Sequence, residues 1–213
     1  MDIAILLYDR FTALDAVGPY EVLSRLPGAK VTFVGTEARP YTTDTKMLTL
    51  VAEASLDDLP TPEIIVIPGG PGQTEAEKDE RVLAWVRHAH ETTQWTTSVC
   101  TGSLILGAAG LLEGLEATTH WLAYDELAAR GAKPTEQRVV EQGKIITGAG
   151  VSAGIDMALT LAARVAGDQF AQGIQLGIEY DPQPPFDSGA PSKADPALVE
   201  VFRANSRFIM EGA

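Results

Sequence analysis

The sequence predicts an α/β fold in which helices cover a mostly parallel β-sheet. Segments of strand character alternate with segments of helical periodicity, and the two clearest strands, Ile3–Tyr8 and Glu63–Ile67, are almost wholly apolar, as strands buried on both faces are. Three glycine-rich turns follow predicted strands, at Gly69–Gly72, Thr101–Ser103 and Gly148–Gly150. Because ligands bind such folds at the carboxyl ends of the strands, we expect these turns to gather at one edge of the sheet.

The first half of the chain predicts strands and helices in alternation. The first strand leads into a helix over Leu14–Leu26, with Pro19 near its start, where a proline is tolerated. Lys30–Gly35 is predicted to be the second strand, and Met47–Val51 a short third one. After the second apolar strand and its glycine-rich stop, Glu80–Glu91 has the pattern of a helix.

The second half continues this alternation and adds a hairpin. The polar strand Trp95–Val99 precedes the second glycine-rich turn, and Gly143 separates two short strands, Arg138–Glu141 and Lys144–Thr147, as in a hairpin. Proline, glycine and serine are frequent in Asp181–Pro196, which is predicted to be an ordered surface loop. The predicted helices of this half are Thr101–Leu112, Trp121–Arg130, Ala153–Ala166, Gln169–Glu179 and Pro196–Ile209.

Length and composition narrow the class of protein. The 213 residues suffice for one domain, 1–213, with a full core, and no linker or repeat divides them. No segment has the apolar length of a membrane span, and the chain begins with a predicted strand instead of an export signal. The formal charge of −13 argues against nucleic acid as a partner. A single cysteine cannot form an internal disulfide, which is in keeping with a reducing cytoplasm.

That cysteine, Cys100, lies where the strand Trp95–Val99 turns into the next predicted helix. At such a corner we expect the side chain to point out of the sheet, beside unpaired backbone N–H groups that favour the thiolate. The Cys-x-Gly sequence parallels the nucleophile elbow of hydrolases. We therefore predict an exposed, reactive nucleophile. The alternative is that Cys100 is a small buried hydrophobic residue, as many free cysteines are.

Two further features are predicted to lie at the same edge of the sheet. Asp15, at the start of the first helix, would have its pKa raised beside a thiolate and would then act as a general acid, coupled in its titration to Cys100. The N–H groups of Gly70 and Thr101 would stabilise a developing negative charge. The alternatives are an aspartate that only favours the helix start and a tight turn without catalytic use.

Other candidate residues leave the function open. His120 would be the base of a Cys–His pair, or a structural residue at the start of a helix. His88 and His90 are two residues apart on a predicted helix and face different sides, so no metal site is expected. The segment Glu179–Phe186, which includes Tyr180, is either a lid or a loop that packs on a partner subunit.

Together, these motifs resemble the DJ-1/PfpI (ThiJ) superfamily. The resemblance spans most of the chain and implies a flavodoxin-like three-layer sandwich and a homodimer. The segments that carry it are Pro68-Gly69-Gly70, Ser98-Val99-Cys100-Thr101-Gly102-Ser103 and Ala117-Thr118-Thr119-His120-Trp121.

Within that superfamily, the chain is most similar to the isonitrile hydratase branch. The matching segments are Leu14-Asp15 with Gly18-Pro19, Cys100–Leu104 with Gly107–Leu112, and Glu179-Tyr180 with Pro184-Pro185-Phe186 and Gly189. The other enzyme branches usually carry glutamate on the first helix, where this chain has Asp15, which weakens a peptidase or glyoxalase assignment. A similar module heads AraC-type regulators, but we expect no helix-turn-helix pair here.

The resemblance implies that Cys100 is the nucleophile, Asp15 the general acid and base, and Thr101 a hydrogen-bonding partner. The reaction would convert an isonitrile into an N-substituted formamide through a thioimidate, without a metal or an organic cofactor. Two alternatives stay open: a glyoxalase III-like or peptidase-like activity that depends on His120, and a small-molecule sensing module without turnover.

Overall fold

A computed structural model describes residues 1–206 of the chain and contains the predicted α/β architecture. The strands are β1 Asp2–Leu6, β2 Lys30–Gly35, β3 Pro40–Thr42, β4 Thr49–Val51, β5 Ala54–Ser55, β6 Ile64–Ile67, β7 Trp95–Val99, β8 Glu116–Ala117, β9 Lys133–Pro134, β10 Val139–Gln142 and β11 Ile145–Gly148. The helices are α1 Ala13–Leu23, α2 Gln73–Ala76, α3 Glu80–Thr92, α4 Gly102–Ala108, α5 Tyr124–Ala129, α6 Ala153–Ala166, α7 Asp168–Gly177 and α8 Pro196–Ala204. None of these helices is long and apolar enough to cross a membrane.

The main sheet of the described chain has seven strands in the order β10-β11-β7-β6-β1-β2-β5. All of its pairings are parallel except the antiparallel hairpin of β10 and β11. Helices α1, α6 and α7 pack on one another, and α4 packs with α2, α3 and α5. Two helical layers therefore flank the sheet, which confirms the predicted flavodoxin-like sandwich.

The centre of the sheet explains why its strands are almost wholly apolar. Every residue of β6, and every residue of β1 after Asp2, is buried because helices cover both faces. Each fully buried aliphatic side chain of this kind contributes about 1.5–3 kcal/mol to the stability of the fold. At the carboxyl edge, β6, β7 and β11 are neighbours. The three glycine-rich turns that follow them consequently lie together, as predicted.

Several predicted helices end earlier in the structure than the apolar pattern suggested. Helix α4 ends at Ala108 because Gly110 has a φ of 81°, although the apolar run continues to the buried Leu112. The predicted extension of α1 to Leu26 is likewise a buried turn after the helix. Helix α7 ends before Glu179, whose φ of 53° is left-handed.

Other boundaries differ for local reasons. The short strand β4 lies within the predicted Met47–Val51 but pairs with β3, outside the main sheet. The predicted helix Trp121–Arg130 begins as a 3₁₀ turn over Trp121–Ala123 and continues as α5. Helix α8 starts at Pro196 as predicted and ends at Ala204. The remainder of its predicted range, including Phe208, falls partly outside the described residues.

Candidate active site

The turn from β7 to α4 is a strained elbow, as predicted. Cys100 has a φ of 56°, which is uncommon for a residue other than glycine. Its N–H donates to the carbonyl oxygens of Gly148 and Ala149, at 3.0 and 2.9 Å. A Cβ on Gly102 would lie 2.0 Å from the carbonyl oxygen of Ile67. The Cys-x-Gly motif therefore has a steric cause, because only glycine lets the elbow pack on the end of β6.

The expectation of an exposed thiol is wrong. Cys100 is 0% exposed, and its burial raises the pKa of the thiol well above the ordinary value. The negative charge of Asp15 raises this pKa further, whereas hydrogen bonds from the N–H groups of Val151 and Thr101 lower it. Of these two donors only Thr101 was predicted, and desolvation outweighs both. At rest, Cys100 is therefore a thiol, and the N–H groups of Val151 and Thr101 lie where they can stabilise a thiolate.

Asp15 lies directly beside Cys100. Its side chain is fully buried and forms a hydrogen bond with the thiol. Its Oδ2 accepts the N–H of Gly69 at 2.9 Å. The start of α1 is held against the same turn because the N–H of Thr12 donates to the carbonyl oxygen of Gly69 at 2.8 Å. Sheet topology therefore brings together Asp15 and Cys100, which are 85 positions apart in sequence.

Thr101 connects the elbow to the turn after β6. Its Oγ1 accepts the N–H of Gly70 at 3.0 Å. That N–H is therefore directed at Thr101 and not at the thiol, so it would stabilise a negative charge on substrate only after leaving this bond. A Cβ on Gly69 would lie 2.5 Å from the backbone nitrogen of Thr101. The two turns consequently pack backbone against backbone.

Val151 is a site residue that sequence reasoning missed. Its N–H bonds to the thiol of Cys100, and its φ of 34° is unusual for a β-branched residue. The third glycine-rich turn, Gly148–Gly150, ends just before it and was the available signal. That turn indicated the correct edge of the sheet, but it did not indicate that a valine would be the donor.

The structure places His120 at the start of a 3₁₀ turn. Its Nδ1 accepts the N–H of Leu122 at 3.3 Å, and its ring stacks on that of Trp121, with 5.9 Å between ring centroids. A Cβ on Gly150 would lie 2.7 Å from its Cδ2. This geometry matches the structural alternative for His120. Its neighbour Thr119 contacts the elbow directly, because Oγ1 donates to the carbonyl oxygen of Cys100 at 3.0 Å.

Tyr180 belongs to a polar cluster beside the start of α6. Its hydroxyl interacts with Arg138 and Asp156, which form an ion pair with each other. Burial is the main cause that raises the pKa of Tyr180. Arg138 also donates to Oγ of Ser152 at 3.1 Å. The structure thus ties the end of α7 to the segment that carries Val151.

Among residues 1–206, no group of three or more His, Cys, Asp or Glu side chains could hold a metal ion. His90 bonds through Nδ1 to Oγ1 of Thr96 at 2.8 Å, and burial together with Lys144 lowers its pKa. His88 lies 3.7 Å from a carboxylate oxygen of Glu91. His88 therefore contacts a residue of its own helix α3, whereas His90 contacts β7.

Comparison with known proteins agrees with this arrangement. The DJ-1/PfpI family profile matches residues 1–164, which include the elbow and the aspartate beside it. The chain belongs to the DJ-1/PfpI family.

Individual known proteins are similar to this chain over most of its length. A protein of Pseudomonas putida named isonitrile hydratase is 45% identical over 203 residues, which are 95% of this chain and 89% of that protein. A ThiJ/PfpI family protein from Pseudomonas syringae has a crystal structure that superposes with a TM-score of 0.90 at 39% identity, covering 98% of this chain and 90% of the other. The transcriptional regulator GbdR of Pseudomonas aeruginosa is 28% identical, and the match covers 84% of this chain and 50% of the regulator.

Proposed function

We propose that this protein is an isonitrile hydratase, which adds water to an isonitrile and releases an N-substituted formamide. The observation that carries the proposal is the hydrogen bond between the buried Asp15 carboxyl group and the Cys100 thiol. The 45% identity to a protein named isonitrile hydratase supports the choice of substrate class. An isonitrile carbon must gain both a nucleophile and a proton, and this pair holds both.

The first half of the reaction forms a covalent thioimidate. The sulfur of Cys100 bonds to the terminal carbon of R–N≡C, while the thiol proton passes through Asp15 to the same carbon, giving R–N=CH–S. No electron leaves the system, since one S–H bond and one N–C π bond break, one C–H and one C–S bond form, and the nitrogen gains a lone pair. The N–H groups of Val151 and Thr101 stabilise the sulfur while it carries negative charge. Asp15 and Cys100 titrate as a coupled pair in this step.

The second half of the reaction returns the enzyme to its starting state. Asp15 accepts a proton from water as the oxygen attacks the thioimidate carbon, and it passes that same proton to the nitrogen. The resulting adduct, R–NH–CH(OH)–S, expels the thiolate and leaves R–NH–CHO. The hydroxyl proton returns through Asp15 to Cys100. Holding the carboxyl group and the sulfur in contact provides the proximity on which both proton transfers depend.

Thr101 has a positioning role in this proposal. Its hydroxyl oxygen accepts the N–H of Gly70, and the adjacent N–H of Gly69 donates to the carboxylate of Asp15. The orientation of the carboxyl group toward sulfur therefore depends on the contact between the two turns. Because the thiol has no exposed surface, the covalent step also requires a local displacement of the segments around it.

The direct test is turnover of cyclohexyl isocyanide and p-nitrophenyl isocyanide, with the formamide product measured by mass spectrometry. Cys100→Ala and Asp15→Asn are expected to lower kcat by about 10³-fold or more, because the nucleophile or the proton carrier is lost. Asp57→Asn, at an exposed carboxylate, is the matched control. Absence of turnover by the wild-type protein with several isonitriles contradicts the proposal.

The same variants separate the alternatives. A glyoxalase III-like or peptidase-like enzyme would turn over methylglyoxal or peptides and lose that activity in His120→Ala. In a hydratase, His120→Ala leaves a Cys100-dependent rate. A sensing module, in line with the similarity to a regulator, would retain an unmodified metabolite and turn over neither substrate.

We also propose that residues 1–213 act as one domain in a cytoplasmic homodimer. The homodimer would have twice the 22.7 kDa mass of the chain. Light scattering of the purified protein measures this mass, and a single 22.7 kDa species at micromolar concentration contradicts the dimer.

A further inference from the structure

A cavity of about 480 Å³ has Val151, a backbone donor to the sulfur of Cys100, in its lining. It is enclosed between the 3₁₀ turn at Trp121 and the segment formed by the late loop and α8. Its apolar wall consists of Trp121, Leu122, Val151, Leu198, Val199 and Phe202. Within the described chain, no Asp, Glu, Lys or Arg lines it. Its size falls in the range of small-molecule sites.

A second cavity, of about 770 Å³, borders the first. The two cavities share His120, Trp121 and Val151. The lining of the second one includes four charged residues, Glu136, Arg138, Glu200 and Arg203. The crevice therefore has an uncharged part and a charged part, and a substrate group placed in each would meet very different surroundings.

Val151 connects the uncharged cavity to the chemistry. It lines the cavity, and its backbone N–H bonds to the sulfur of Cys100. An isonitrile is linear, so when its terminal carbon meets sulfur, the substituent on nitrogen projects away from the sulfur. The cavity lined by Val151 offers apolar surface for this substituent.

We propose that this cavity is the subsite for the nitrogen substituent and that it selects uncharged, apolar isonitriles. This inference rests on the proposed hydratase function. A substituent ring of several carbons moves from water into contact with the apolar wall of the cavity, which favours binding. A methyl group has less apolar surface to bury and leaves most of the cavity unfilled. A carboxylate on the substituent would lose its hydration without meeting a lysine or arginine among the described lining residues.

The experiment compares three substrates on the wild-type protein: cyclohexyl isocyanide, methyl isocyanide and isocyanoacetate. The expected kcat/KM for cyclohexyl isocyanide exceeds that for each of the other two by at least about 10-fold, chiefly through KM. Equal values, or a preference for isocyanoacetate, overturn the subsite while leaving the hydratase function in place. Failure to turn over any of the three overturns both.

A pair of matched variants locates the preference in the cavity. Ala194 lines it, whereas Ala197 lies exposed on α8 and lines neither cavity. Ala194→Trp is expected to lower the cyclohexyl-to-methyl ratio of kcat/KM by about fivefold or more, and Ala197→Trp to keep the wild-type ratio. Equal ratios in the two variants contradict the inference.

A binding measurement needs no turnover and covers the case in which Ala194→Trp does not fold. N-cyclohexylformamide added to Cys100→Ala protein is expected to change the fluorescence of Trp121, with Trp121→Phe as the reference. It is expected to bind at least about 10-fold more tightly than N-methylformamide. Equal affinities overturn the subsite.

Discussion

The carboxyl edge of the sheet and the late segment 181–206 are built in opposite ways, although both border the same crevice. At the edge, Asp15, Cys100 and Thr101 are each 0% exposed and are joined by hydrogen bonds. In the late segment, Phe186 is 77% and Phe202 54% exposed. The comparison indicates that the proposed catalytic residues lie on backbone that many contacts hold in place. In our proposal, the substituent of the substrate is selected by a segment whose side chains are more exposed.

The largest expected difference between the two regions concerns glycine. Gly102→Ala forces a Cβ to within 2.0 Å of a backbone oxygen at the edge, whereas Gly189→Ala in the late segment meets nothing within 4 Å. Gly102→Ala should lower the free energy of unfolding by at least about 3 kcal/mol, because backbone must move. Gly189→Ala should change it by less than about 0.5 kcal/mol. Urea unfolding measures both, and similar values would remove the contrast.

A smaller effect on the free energy of unfolding should appear at alkaline pH, and it should depend only on buried groups at the carboxyl edge of the sheet. Burial raises the pKa of both Cys100 and Tyr8 in the folded state. Their protonated forms therefore stabilise the fold fully below the ordinary pKa of each group. This contribution is lost as the pH rises, at up to about 1.4 kcal/mol per pH unit for each group once the unfolded chain is deprotonated.

Urea unfolding between pH 8 and 11 measures this slope. Cys100→Ala should make the decline of stability above about pH 9 less steep, because one of the two groups is removed. Tyr8→Phe should remove the other contribution, above about pH 10, although it also deletes the 2.7 Å bond from Tyr8 to the carbonyl oxygen of Pro68. Identical slopes in wild-type and Cys100→Ala proteins would contradict the assignment.

The smallest expected effect lies in the late segment. Phe186→Ala should change the free energy of unfolding by less than about 0.5 kcal/mol, because the ring is mostly exposed. Phe11→Ala, at a fully buried ring, is the comparison and should cost about 3–5 kcal/mol. A large loss in Phe186→Ala would mean that the late segment is held more firmly than its exposure indicates.

Much of the fold was predictable because local sequence patterns, such as apolar runs and glycines at turns, agree with the burial and backbone geometry of the folded chain. The apolar strands β1 and β6, the hairpin turn at Gly143 and the elbow at Cys100 lie where predicted. Helix ends were less predictable. At Leu112 and Leu26, apolar residues are buried in turns after the helix, so periodicity continued beyond the hydrogen-bonded helix.

Residue types and spacing were enough to indicate a cysteine elbow, an aspartate at the same sheet edge and an α/β sandwich. Each of these follows from short-range backbone preferences combined with the order of elements along the chain. The burial of the thiol, the direction of the Gly70 N–H and the donor role of Val151 depend on segments far apart in sequence. Desolvation and backbone contact are sums over all neighbours in space, and those neighbours exist only once the sheet has assembled.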